Sequence, residues 1–127
     1  MKIILLGMCN RLIEASIKHI LNQTEDFQVY SVHPGKCEIA KECKAVAADI
    51  LLLEVAYNPG STLDDCLSEV EILQLLRPEC KVILVCDENS VPGIARKIAM
   101  AKKDRLIDDF MYLPVSESYF TAILYSM

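Results

Sequence analysis

Three short apolar runs, Ile3–Met8, Ile50–Leu53 and Val82–Cys86, constrain this chain more than any other feature. None approaches the roughly 18–20 consecutive apolar residues of a membrane-spanning helix. The runs are continuous rather than alternating, which is how strands read when both of their faces are buried. Strands of that kind belong to parallel sheets, and a parallel sheet needs helices over each face. The segments between the runs supply helical spacing.

Lys2–Leu6 is the first predicted strand, ending at Gly7. Arg11–Leu21 then places Leu12, Ile13, Ser16, Ile17, Ile20 and Leu21 on one broad helical face, with Asn10 as N-cap. Phe27–Val32 is a second strand, closed by His33-Pro34-Gly35, and Cys37–Ala47 a short helix. Asp49–Val55 is the third strand, broken by Asn58-Pro59-Gly60. Ser61 or Thr62 caps the next helix, whose stripe is Leu63, Leu67, Val70, Leu73 and Leu76, up to Arg77-Pro78. Lys81–Cys86 is a fourth strand. Ser90–Lys103 is a fourth helix, capped by Ser90 with Pro92 in its first turn. Ile107–Tyr112 and Ser116–Tyr125 complete the alternation, the last helix carrying Tyr119, Phe120, Ile123 and Leu124. Five βα units imply an α/β architecture with a parallel sheet and right-handed crossovers.

Composition narrows the class. The 127 residues suit one domain spanning 1–127, either complete or the N-terminal part of a longer protein. With 24% charged residues and no low-complexity run, the chain is not disordered. A net charge of −5 lacks the basic footprint of a nucleic-acid surface. The start resembles a signal peptide, but its apolar part is short and no small-residue cleavage site follows. A lipoprotein reading of Leu6-Gly7-Met8-Cys9 fails because Met8 is not small. A cytoplasmic location is expected. The six cysteines, Cys9, Cys37, Cys43, Cys66, Cys80 and Cys86, form no CxxC pair and read as thiols, most of them core fillers.

Functional residues of such sheets lie beyond the carboxyl ends of the strands. That rule selects Gly7–Cys9, His33, Glu54–Tyr57, Cys86–Glu88 and Leu113-Pro114. The turn Gly7-Met8-Cys9-Asn10-Arg11 has one glycine, and neither GxGxxG nor GxxxxGKS/T occurs, which argues against dinucleotide and P-loop sites. Cys9 precedes a helix N-terminus, a position that lowers a thiol pKa. Yet Asn10-Arg11-Leu12-Ile13-Glu14 is no small-residue phosphate loop, so an inert, partly buried thiol is the plainer reading. Cys9, His33, Glu54, Cys86 and Asp87 are zinc-type ligands near one edge, but nothing in their spacing makes them converge, and no metal is expected. His19 falls mid-helix and reads as a surface residue.

Four phrases carry a family resemblance: Lys2–Leu6; Ala48–Val55 followed by Pro59-Gly60; Pro78–Val85; and Asp108–Pro114. Over essentially its whole length the sequence resembles the receiver domain of bacterial response regulators. The resemblance implies a three-layer, doubly wound (βα)5 fold, flavodoxin-like or CheY-like, with a five-stranded parallel sheet of order 2-1-3-4-5. At every catalytic position the sequence departs from the family. The Mg²⁺-holding acidic pair falls on Gly7 and Met8, which offer no side-chain oxygen to a hard cation. The phosphorylated aspartate falls on Glu54, the Ser/Thr on Cys86, and the lysine on Leu113. Phe110 matches the aromatic switch residue. Pro59 lies one residue further from Glu54 than usual, and the segment from Cys86 to Leu113 is longer.

Phosphoryl transfer depends on positioning and charge neutralisation, so these departures imply a pseudo-receiver. Mg²⁺ binding is expected to be lost, no cofactor is expected, and the chain is read as a non-enzyme. Glu54 either imitates a phosphorylated state or occupies a polar rim. The implied role is protein–protein interaction with a partner or a covalently linked output domain. That output would be DNA-binding, enzymatic, or an ATPase such as those of pilus assembly. A homodimer through the fourth helix, fifth strand and fifth helix would draw on Lys97, Lys102, Lys103, Asp104, Arg105, Asp108 and Asp109. No direct nucleic-acid or membrane contact is expected. Two alternatives stay open: a phosphorelay receiver with an unorthodox site, and a thiol enzyme or redox sensor using Cys9, with Cys86 as a second thiol.

Overall fold

The computed structural model describes residues 1–34, 38–57, 60–87, 93–113 and 116–127. Ten elements alternate along the chain: β1 (Lys2–Gly7), α1 (Arg11–Leu21), β2 (Phe27–Val32), α2 (Ile39–Val46), β3 (Ile50–Glu54), α3 (Leu63–Leu76), β4 (Lys81–Asp87), α4 (Ile94–Lys103), β5 (Asp109–Leu113) and α5 (Glu117–Ser126). All strand pairs are parallel, and the order is β2-β1-β3-β4-β5, the predicted one.

The continuous apolar runs follow from two-sided burial. Successive strand residues point to opposite faces. Leu5, Leu51, Leu53, Val82, Leu84 and Cys86 pack with residues of α2, α3 and α4. Ile4, Leu6, Met8, Ile50, Leu52, Ile83 and Val85 pack on the other face with Ile17 and Leu21 of α1 and Phe120 and Leu124 of α5. The sheet therefore has three helices over one face and two over the other.

Side-chain caps set three helix starts. Asn10 Oδ1 accepts the Leu12 and Ile13 N–H groups at 2.9 and 3.2 Å. Thr62, rather than Ser61, caps α3 in a reciprocal box with Asp65. Ser116 Oγ accepts the Tyr119 N–H at 3.1 Å. Two predicted starts move. α2 begins at Ile39, not Cys37, and α4 at Ile94, not Ser90, behind Gly93 with φ of 76°. Gly35, Cys37, Asn58, Pro59, Glu88, Ser90, Pro92 and Pro114 lie outside the described residues. β5 starts at Asp109 rather than Ile107, and Asp108 at its entrance accepts the Val82 N–H at 2.8 Å.

Two predicted helix faces were drawn too wide. Leu12 is 78% exposed and Tyr119 54% exposed, because Leu12 lies about 140–180° around α1 from Ile17 and Leu21, and Tyr119 about 100–140° around α5 from Phe120 and Leu124. Among the described residues no helix is long and apolar enough to cross a membrane.

Candidate functional site

The carboxyl edge of the sheet brings Gly7, Met8, Glu54, Cys86 and Leu113 to the ends of β1, β3, β4 and β5 or just beyond them. Each is fixed there by a different neighbour. Gly7 pairs in register with Leu53 on β3. A Cβ at Gly7 would lie 2.7 Å from Leu53 Cδ2, so any larger residue there would have to displace the side chain of a buried leucine. Met8 is fully buried in the α1–α5 cluster. Cys86 is fully buried on the opposite side, and Leu113 is half-buried against the same cluster as Met8. The positions matched to metal-binding acids and lysine are thus continuous with the two cores.

Glu54 is a charged group of this edge with two backbone partners. Its Oε1 accepts the backbone N–H of Cys9 at 3.1 Å and of Asn10 at 3.0 Å. The carboxylate therefore spans from the end of β3 to the loop that starts α1. Beside it, Cys9 Sγ and Ser61 Oγ share a hydrogen bond of 2.7 Å. Ser61 is itself buried. Behind Ser61, Cys66 Sγ lies 3.8 Å from the carbonyls of Glu54 and Ser61. Burial, and next the neighbouring Cys9 and Asp65, push the Cys66 thiol up to about 12. Cys9 is half-buried, as its sequence position implied. Its contact with Ser61 and the thiol of Cys66 behind it were not legible from the sequence, because neither follows from spacing.

His33 and Asp87 are exposed, and among the described residues no group of three His, Cys, Asp or Glu side chains could hold a metal ion. His19 is exposed and meets Gln23 at 3.1 Å. Phe110 is half-buried. Lys102 Nζ lies 5.5 Å from its ring centroid and pairs with Asp109 Oδ1 at 3.1 Å. Sequence reasoning missed Tyr112, whose ring packs 5.2 Å from Phe110 and whose hydroxyl donates to the Ala95 carbonyl at 3.0 Å, tying β5 to α4. It also missed an apolar cleft of about 450 Å³ between α1 and α5, lined by Leu12, Ile13, Ile17, Leu113 and Phe120. Of the charges named for a dimer face, Lys102, Asp108 and Asp109 are engaged within the chain.

No family model matches the sequence, and no curated protein is significantly similar to it. Solved structures do match over the whole fold. A DNA-binding response regulator of the LuxR family from Staphylococcus aureus superposes with a TM-score of 0.75 at 15% identity, covering 99% of this chain and 98% of that one. A CheY-like protein, TadZ, from Pseudomonas aeruginosa gives 0.75 at 17% identity, with 99% and 98% covered. The chemotaxis protein CheY4 of Vibrio cholerae gives 0.73 at 11% identity, again with 99% and 98% covered. The chain has the CheY-like fold of response-regulator receiver domains.

Proposed function

We propose that this chain is a receiver-type signalling domain that has lost aspartyl phosphorylation and acts through protein–protein contact. The observation that carries the reading is the state of the carboxyl edge. Gly7 is closed by Leu53, Met8 and Leu113 belong to an apolar cluster, and Glu54 is engaged by two backbone amides. A phosphoryl site needs oxygen ligands for Mg²⁺ and a cation for the developing charge. Those matched positions carry neither. Glu54 then serves as a fixed anion that holds the β1–α1 loop in one arrangement, and the surface around it is presented without a phosphorylation step.

The output is a protein partner or a domain linked to this one, in the cytoplasm. A DNA-binding response regulator of the LuxR family and a CheY-like protein are among the solved proteins of this fold. Self-association through α4, β5 and α5 is the accompanying proposal, with Lys97, Lys103, Asp104 and Arg105 as its exposed charges. Incubation with a small phosphodonor and Mg²⁺ tests the central point. The expected result is no incorporation; stoichiometric, acid-labile phosphate on Glu54 would overturn the reading.

A further inference from the structure

Two neighbouring helices carry opposite charge. α3 holds Asp64, Asp65, Glu69 and Glu71 and no cation. α4 holds Arg96, Lys97, Lys102 and Lys103 and no carboxylate. Part of this charge is used within the chain. Asp65 completes the cap of α3, Glu69 accepts the Ala40 N–H at 3.0 Å, and Lys102 pairs with Asp109 at 3.1 Å. Asp64, Glu71, Arg96, Lys97 and Lys103 are exposed. Both helices cover the same face of the sheet, yet among the described residues no ion pair joins them. Open clefts border them instead. One of about 500 Å³ is lined by Glu71, Gln74 and Leu106, and one of about 190 Å³ by Asp64, Ile94 and Lys97.

The charges also match in position. Asp64 shares the smaller cleft with Ile94 and Lys97, so it lies level with the first turn of α4. The two helices run parallel, because each leads back to a strand of a parallel sheet. Two turns further along, Glu71 on α3 and Lys103 on α4 are level again. Asp64 and Glu71 therefore leave α3 in one direction, and Arg96 and Lys103 leave α4 in one direction. Leu75, Met100 and Leu106 are exposed on the same side of the molecule.

We infer that a second copy of this chain docks on the α3–α4 face, with α3 of each copy against α4 of the other. A two-fold axis parallel to the helices and over the clefts produces that arrangement. Rotation about such an axis keeps every residue at its level. Asp64 then meets Arg96 of the second copy, Glu71 meets Lys103 of the second copy, and each contact occurs twice. The exposed apolar side chains Leu75, Met100 and Leu106 lose water as the face closes. Pairing α3 with α3, or α4 with α4, would set like charges together, so the same charges select the arrangement. The inference rests on the reading of the chain as a protein–protein contact domain and names α3 as the helix that α4 meets. On the β5 side of α4, Lys102 and Asp109 already neutralise each other.

Sedimentation equilibrium of the full chain over a range of concentrations tests the inference. The expected result is a monomer–dimer equilibrium whose association constant falls by about tenfold or more from low to high salt. Glu71→Lys and Lys103→Glu are each expected to fold, by circular dichroism, and to stay monomeric alone. Mixed in equal amounts they are expected to dimerise again, because the reversed charges then face each other. Glu71→Gln and Lys103→Gln, which remove charge without reversing it, should weaken the dimer by about threefold or more and serve if a reversal does not fold. A dimer that these substitutions leave intact, or a mixture that stays monomeric, overturns the pairing of α3 with α4. A wild-type chain that is monomeric throughout overturns self-association altogether. Neither result alters the phosphodonor test on Glu54.

Discussion

Replacing Glu54 by Asp restores the residue type that receivers phosphorylate, and it should destabilise the fold without restoring chemistry. The magnitude follows from the two amides that Glu54 Oε1 accepts, at 3.1 and 3.0 Å. Removing one methylene withdraws the carboxylate by about 1.5 Å, the length of a C–C bond. Both contacts then exceed hydrogen-bonding range. A hydrogen bond to a charged acceptor contributes about 1.5–3 kcal/mol. The Asn10 amide is exposed and water can replace its partner, so only the half-buried Cys9 amide loses in full. The expected loss is therefore one such bond, about 1.5–3 kcal/mol for Glu54→Asp and for Glu54→Ala. Glu54→Gln keeps an oxygen and loses the charge assistance, about 1 kcal/mol. For a chain of this length 1 kcal/mol moves Tm by about 3–5 °C. Urea and thermal melts followed by circular dichroism should rank wild type above Gln, and Gln above Asp and Ala. A Glu54→Asp variant as stable as wild type would refute the assignment of Glu54 as the clasp of the β1–α1 loop.

Further outcomes follow from other contacts. Gly7→Asp drives a Cβ to within 2.7 Å of Leu53 Cδ2 and should lower stability by about 1–3 kcal/mol, with no Mg²⁺ binding by calorimetry. Met8→Asp places a carboxylate in a fully buried apolar site and should cost at least about 3 kcal/mol; a variant that melts with wild type would contradict the assigned burial. Cys66 is pushed up to about 12, so its neutral thiol adds stability that is complete below the ordinary thiol value and lost as pH rises through about 12. The urea midpoint should fall over that alkaline range less steeply in Cys66→Ala than in wild type. Thr62→Ala removes the α3 cap and should cost about 1 kcal/mol near neutral pH. The Thr62 hydroxyl, first, holds the Asp65 carboxyl below the usual carboxylate range. That stabilisation is present above the ordinary value and lost as pH falls through the lowered one, so Thr62→Ala should flatten the acid limb of the stability profile.

The sequence makes the order of elements legible because each strand is buried on both faces and each helix on one. Those periodicities survive without any tertiary information, and they mark Ile50–Leu53 and Val82–Cys86 correctly as strands buried on both faces. Caps were legible where a short polar side chain precedes an apolar stripe, as at Asn10 and, as one of two candidates, Thr62. The site was legible only as a set of positions. Its contacts depend on strand register and side-chain reach. Gly7 meets Leu53 because β1 and β3 pair with that offset, and nothing local to Gly7 encodes it. Glu54 turns back to the amides of Cys9 and Asn10, across a distance that spacing cannot measure. Leu12 was misread for the opposite reason: an apolar residue at the margin of a helical stripe has no periodicity of its own.

The residues at the carboxyl edge pack into two cores, which bears on why they depart together from the pattern that the chain resembles. Gly7 packs toward the α2–α4 face through Leu53, whereas Met8 and Leu113 pack toward the α1–α5 face. Restoring an acid at either of the first two positions therefore disturbs a different core. Together the two changes would take a large share of the roughly 5–15 kcal/mol that holds a domain folded. A lysine at Leu113 alone is milder, since the half-buried stem can stay in the cluster while its ammonium reaches water. The edge can thus accept a cation more readily than the acids that would need it. A conformational switch also requires two arrangements of similar energy, and close-packed side chains rarely offer a second one. With Met8 and Leu53 packed and Glu54 clasped to the start of α1, the proposed signal is carried by a single surface whose occupancy, not whose shape, changes.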